Sequence, residues 1–187
     1  PDIVARRTAM SAARAGAPKG SFPQLHTSEH RYTGPDGELT LRLYRPETAA
    51  PTAPGLIYIH GGGMIMGDLE SQDENMREAA TELNIPIASI DYRKAPECPY
   101  PAAPEDCYAG VTWVFANAKA MGMDPTNIGL MGVSAGGGLA LATALMLRDR
   151  GCPALAFLLP IYPMIDDRHN TRSSHEVLNI GMWDRAG

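Results

Sequence analysis

Apolar positions along this chain change their period several times. From Ile3 to Ala15, Ile3, Arg7, Met10 and Arg14 recur at helical spacing in an Ala- and Arg-rich run, and Gly16-Ala17-Pro18-Lys19-Gly20 breaks it. The pattern predicts a short N-terminal helix and a linker. Glu29 to Thr33 and Leu39 to Tyr44 then bracket Gly34-Pro35-Asp36-Gly37, and the second run sets Leu39, Leu41 and Leu43 against Thr40, Arg42 and Tyr44. That alternation predicts a hairpin with one face in water.

After the Pro-rich stretch Pro46 to Pro54 the texture shifts to short apolar runs: Leu56 to Ile59, Ile85 to Ile90, Ile128 to Met131, and Ala154 to Ile161. Such runs predict parallel strands buried on both faces. Between them, Leu69, Met76, Ala79 and Leu83 recur at helical intervals behind a capping box of Ser71 with Glu74. Tyr108, Val111, Phe115 and Ala118 do the same behind Pro104, and Ala135 to Arg150 reads as a helix ended by Gly151-Cys152-Pro153. Strand and helix in alternation predict an α/β fold, a mostly parallel sheet with helices on both faces. From Pro163 onward, through Asp166-Asp167-Arg168-His169-Asn170 to Met182-Trp183, no strand signal appears.

The pentapeptide Gly132-Val133-Ser134-Ala135-Gly136 falls between a predicted strand and a predicted helix. A chain that turns sharply there holds a serine hydroxyl out as a nucleophile, and glycines two positions either side let neighbouring backbone approach. The plainer alternative is a serine that merely caps the helix. Directly after Leu56 to Ile59 stands His60-Gly61-Gly62-Gly63. Three glycines in a row cost backbone entropy on ordering, so they point to a place where side chains would obstruct a ligand. If Ser134 attacks a carbonyl, the N–H groups of Gly61, Gly62 and Ala135 are candidate donors to the oxyanion. A phosphate loop would want a Lys and a Ser or Thr next, and Met64-Ile65-Met66 offers neither. His60, at a strand end, reads as a brace for the loop, with Gly63 beside it, rather than as a base.

Composition narrows the classes. The chain has 187 residues, 44% hydrophobic and 20% charged, with 16 Lys and Arg against 21 Asp and Glu and no basic cluster beyond Arg6-Arg7. That balance argues against a nucleic-acid partner. The longest apolar stretch, Leu139 to Leu147, falls short of the roughly 20 residues of a membrane span. Cys98, Cys107 and Cys152, odd in number and scattered, fit reduced thiols better than a disulfide framework or a zinc site, and no secretory signal opens the chain. A cytoplasmic setting is the expectation.

With both motifs in place, the chain resembles the hormone-sensitive-lipase-like α/β-hydrolases, the bacterial family IV esterases. Asp91-Tyr92-Arg93-Lys94-Ala95-Pro96-Glu97 and Pro99-Tyr100-Pro101-Ala102-Ala103-Pro104-Glu105-Asp106 look like that family's segment between loop and elbow. The resemblance implies an α/β-hydrolase fold of eight strands, of which about six are visible here. It also implies a cap starting in residues 1–25, a core over residues 26–162, and a second cap segment from residue 163 to 187. The implied activity is hydrolysis of short- to medium-chain carboxylic esters, without metal or cofactor, by an acyl-enzyme on Ser134. Val133, where many members have Asp, leaves that assignment standing.

In this fold the acid and the histidine follow the nucleophile on loops after late strands. Residues 135–187 leave too little chain for them. Asp166 or Asp167 with His169 or His175 have the right order but no strand between them, so they read as solvated turn residues. The triad acid and His are therefore expected outside this chain, in a C-terminal portion carried by a second polypeptide or otherwise missing. The last strand would then present an apolar edge able to pair with another chain, and a homodimer stays open. The alternative function is a non-catalytic ligand-binding protein of the same fold; amidase activity is a third reading.

Overall fold

The N-terminal run forms α1 (Ile3–Ala15), started by Asp2, whose Oδ1 accepts from the N–H groups of Val4 and Ala5 at 2.9 and 3.3 Å. The computed structural model describes residues 2–15, 20–168 and 170–178. The break at Gly16 to Lys19, His169, and Met182-Trp183 lie outside the described residues.

The hairpin is β1 (Leu25–Gly34) and β2 (Gly37–Pro46), antiparallel with Gly34 opposite Gly37 across a Pro35-Asp36 loop. Its second face differs from expectation. Leu39, Leu41 and Leu43 are buried, but so is Tyr44 at 0% exposure, because α2 (Asp73–Leu83) covers it with Met76 and Ala80. Tyr44 Oη donates to Asp73 at 2.9 Å. Arg42, beside it, meets Glu29, Glu70 and Asp73, so the face expected in water is largely filled by an ion network.

The remaining strands are β3 (Ala53–Ile59), β4 (Ile87–Ile90), β5 (Met123–Val133) and β6 (Phe157–Ile161). They complete a six-stranded sheet in the order β1-β2-β4-β3-β5-β6, parallel from β4 to β6 and antiparallel at β1 and β2. The strand edges shift from the predicted runs. Ile85 and Pro86 precede β4, the run from Ala154 pairs only from Phe157, and β5 reaches back to Met123.

Helices cover both faces, as the alternation predicted. α3 (Ala102–Asn117) and α4 (Ala135–Asp149) bury Val111, Val114, Leu139 and Ala140 against Leu41, Ile57, Ile90 and Leu130. α2 closes the other face over Leu56, Tyr58 and Ile87. α4 ends as expected: Gly151 has φ 67°, with Cys152 N–H donating to Leu147 O at 2.9 Å and Gly151 N–H to Arg148 O at 3.3 Å, a Schellman cap. The expected Ser71–Glu74 capping box is replaced by one three residues earlier. Asp68 and Ser71 cap each other around a 3-10 turn (Leu69–Ser71), while Glu74 instead accepts from Gly20 N–H at 2.6 Å. Past β6 the described chain holds one short helix, α5 (Arg172–Glu176).

One ion pair ties α3 to the segment after β4. Asp106, 0% exposed, accepts from the N–H, Nε and Nη2 of Arg93 at 3.0, 2.8 and 2.7 Å. Arg93 is partly exposed and also holds Asp36 at 3.0 Å, so losing Asp106 removes three charge-assisted bonds without leaving a lone buried charge. Asp106→Ala is expected to lower unfolding free energy by about 2 kcal/mol. In urea titration, a midpoint equal to wild type would show that Arg93 rehydrates at no cost.

Candidate active site

β5 ends at Val133 and α4 begins at Ala135, so Ser134 alone makes the bend, with φ 57° and ψ −119°. A non-glycine residue at positive φ costs about 1–3 kcal/mol and persists only when its surroundings hold it there. Here they do. Ser134 N–H donates to Ile161 O at 2.9 Å, and Ser134 O accepts from Gly138 and Met164 N–H at 3.1 and 2.9 Å. The turn is tight enough that a Cβ on Gly132 would lie 2.1 Å from Gly136 O, and one on Gly136 would lie 2.1 Å from Ile59 O. The side chain of Ser134 is half-buried and makes no capping hydrogen bond. The plainer alternative, a serine that caps α4, is thereby removed.

The loop after β3 meets this bend. Gly62, Gly63 and Met64 all have positive φ, at 126°, 63° and 61°. A Cβ on Gly62 would stand 2.1 Å from Met66 O. One on Gly61 would stand 2.8 Å from Val133 O and 3.4 Å from Ser134 Cβ, so the loop backbone lies against the elbow. Ile65 and Met66 N–H both donate to Gly62 O, at 3.2 and 2.8 Å, closing a tight turn. The N–H groups of Gly61 and Gly62 have no protein acceptor among the described residues, and Ala135, the first residue of α4, has an N–H with no partner inside the helix. There the helix dipole adds partial positive charge.

His60 is fully buried beneath the loop. Its Nδ1 lies 2.7 Å from Gly61 O, its ring stacks on Tyr92 with centroids 4.3 Å apart, and its carbonyl accepts from Tyr92 Oη at 3.0 Å. Nε2 faces Asp91 Oδ1 at 3.5 Å, too far to satisfy it as a hydrogen bond. Asp91 is in turn bound by Lys94 Nζ at 2.7 Å, and that ammonium lies over the Tyr92 ring. Burial alone would raise the Asp91 carboxyl, but the His60 ring and the Lys94 ammonium outweigh it and hold it below its ordinary value. Asp91, Tyr92 and Lys94 were visible in the sequence only as part of a family segment; nothing local assigned them to the floor of the loop.

The late Asp and His candidates stand apart from this arrangement. Asp166 is engaged by the backbone N–H, Nε and Nη2 of Arg168, and His175 is exposed in the last turn of α5. Among the described residues no histidine hydrogen-bonds the Ser134 hydroxyl. A cavity of about 240 Å³ lies between α1 and the far side of the loop, lined by Arg7, Arg14, Met66 and Lys94 among others, and does not include Ser134.

Residues 56–186 match the family model described as alpha/beta hydrolase fold. The chain is 41% identical over 143 residues to esterase LipI of Mycobacterium tuberculosis, covering 75% of this chain and 45% of that protein. Among solved structures it is similar to a bacterial heroin esterase, with TM-score 0.91, 36% identity, and coverage of 98% of this chain and 59% of that one. It is also similar to an ester hydrolase from the metagenome of Lake Arreo, complexed with a derivative of bipyridine phosphonate. There the TM-score is 0.85 and identity 33%, over 94% of this chain and 56% of that one. The chain spans about half the length of the curated relatives it matches.

The depressed Asp91 carboxyl fixes a sign. A group whose folded value lies below its unfolded one adds stability above the unfolded value and loses it as pH falls through the folded one. For Asp91 that loss falls below the ordinary 3.8. Asp91→Asn is therefore expected to be less stable than wild type at pH 6 and to lose less stability on acidification below pH 4. Parallel melting-temperature curves for the two proteins over that acid range would rule it out.

Proposed function

Because this chain belongs to the hormone-sensitive-lipase-like branch of the alpha/beta hydrolase fold family, we propose that it contributes the nucleophile and oxyanion donors of a serine carboxylesterase acting on short- to medium-chain carboxylic esters. The observation that carries the proposal is the strained bend at Ser134, its hydroxyl uncommitted to capping and set beside the triglycine loop. Esterase relatives at about 40% identity support the reaction class.

Ser134 Oγ attacks the ester carbonyl, its proton passing to a general base, and the carbonyl oxygen takes on negative charge. The N–H groups of Gly61, Gly62 and Ala135 receive that oxyanion, each donor being worth about 3 kcal/mol in the transition state. Collapse expels the alcohol and leaves an acyl group on Ser134; water then attacks the acyl-enzyme and releases the acid. His60 braces the loop, since both its ring nitrogens face groups beneath it, Gly61 O and Asp91. The general base and its acid are assigned to the portion of the longer relatives that this chain does not span. The unpaired thiols of Cys98, Cys107 and Cys152 favour a reducing, cytoplasmic setting. No described helix is long and apolar enough to cross a membrane.

A phosphonate ester probe tests the nucleophile, applied to this chain extended by the portion that carries the base, because a serine without its base is a weak nucleophile. Mass spectrometry is expected to find one adduct, on Ser134, that Ser134→Ala abolishes. Binding of the probe or of an ester with no adduct at Ser134 would make this a ligand-binding protein of the same fold. A second variant tests the donors. Gly62→Ala, strained at φ 126° with its methyl against Met66 O, is expected to slow labelling about 100-fold, the effect of one misplaced donor. An unchanged rate would remove Gly62 from the oxyanion site.

A further inference from the structure

α1 is joined to the loop through one side chain. Arg7 Nε donates to Ile65 O at 2.7 Å, and its Nη2 donates to Ala95 O at 2.8 Å. The same guanidinium clasps Glu97 at both carboxylate oxygens, Nη1 to Oε1 at 2.6 Å and Nη2 to Oε2 at 3.0 Å. Three segments far apart in the chain thus meet on one planar group: α1, the triglycine loop, and the stretch after β4. Ala95 N–H in turn donates to Met64 O at 3.0 Å, so the loop and that stretch are also tied directly.

The peptide that Arg7 holds is the one that closes the loop turn. Its oxygen, Ile65 O, accepts from Arg7, and its nitrogen, Met66 N, donates to Gly62 O at 2.8 Å. Gly62 O belongs to the peptide that directly follows the Gly62 N–H, so the orientation of that donor is set by a relay from guanidinium to peptide to glycine. We propose that Arg7 is a positioning residue that locks the oxyanion loop in its donor-forward turn from the N-terminal helix. The proposal rests on the assignment of Gly61 and Gly62 as oxyanion donors. A planar fork can serve Ile65 O, Ala95 O and Glu97 together, whereas a lysine, a single point donor, can keep the pair with Glu97 and lose the rest.

The test compares Arg7→Lys, Arg7→Ala and the exposed neighbour Arg6→Ala with wild type, each in the chain extended by the portion that carries the base. It reads phosphonate labelling at Ser134, separated into binding and bond formation, together with amide hydrogen exchange. Both Arg7 variants are expected to slow bond formation at least about tenfold, roughly 1.4 kcal/mol, with probe binding within twofold of wild type. Exchange is expected to quicken at residues 62–66 and not in β3 or β5, and Arg6→Ala is expected to match wild type. Arg7→Lys behaving as wild type would overturn the fork geometry. Unchanged labelling and loop exchange in Arg7→Ala would overturn the lock, as would loss confined to probe binding or exchange rising equally in β3 and β5. Absence of labelling in wild type would count against the nucleophile, and loop exchange in Arg7→Ala would then decide the lock alone.

Discussion

The whole site depends on three backbones approaching closer than side chains allow. The end of β3 at Ile59 and His60, the bend at Ser134, and the first turn of α4 at Gly136 lie within the distance at which a Cβ would collide. This contact follows from sheet order. β3 and β5 are parallel neighbours with Ile59 opposite Gly132, so their carboxyl ends finish side by side, where ligands of open α/β sheets gather. The loop after one strand and the elbow after the other then share one small space. Side chains at Gly132 and Gly136 would prise the two apart, and the strain at Ser134 would lose the bonds that hold it.

Beneath that contact, charge and aromatic stacking do the holding. His60, Tyr92 and Lys94 form a column, imidazole on phenol with an ammonium over the ring, and Asp91 pairs with the Lys94 ammonium at one side. Such a group satisfies the polar edge of a buried imidazole better than apolar packing could, though Nε2 remains at 3.5 Å from its carboxylate. Above the loop, Arg7 and Arg14 reach down from α1 to Glu97 and Asp68. The loop is therefore held from both sides by ion pairs, which give direction to a segment that glycine alone would leave loose.

Features that depend on neighbours in sequence were legible in it. The strand-to-helix bend, the triglycine run, the alternation of apolar runs with helices and the Schellman stop at Gly151 each leave a local pattern. What depended on distant partners left none. Tyr44 looked like the polar face of a hairpin because α2, which buries it, lies some thirty residues on. Ser71 and Glu74 had capping spacing, but Asp68 competed for Ser71 and Gly20 took Glu74. Arg7 read as half of a small basic pair, since two of its three partners are carbonyl groups, Ile65 O and Ala95 O, and a carbonyl carries no residue identity.

The elbow is also tied to the sheet's other side. Ser134 N–H binds Ile161 O, the last residue of β6, and Ser134 O binds Met164 N–H just beyond it. β6 stands at the edge of the described sheet, with Phe157 49% and Leu159 46% exposed. An edge strand with large apolar side chains in water is less firmly held than one paired on both sides. Two of the three bonds that keep Ser134 at positive φ thus come from the least covered strand and the turn after it. Whatever lies against that edge bears directly on the backbone of the candidate nucleophile, through bonds of 2.9 Å, whereas the triglycine loop is fixed from the opposite side by α1. The two halves of the candidate site therefore answer to different surroundings: the triglycine loop to the N-terminal helix, and Ser134 to the last strand of the described sheet.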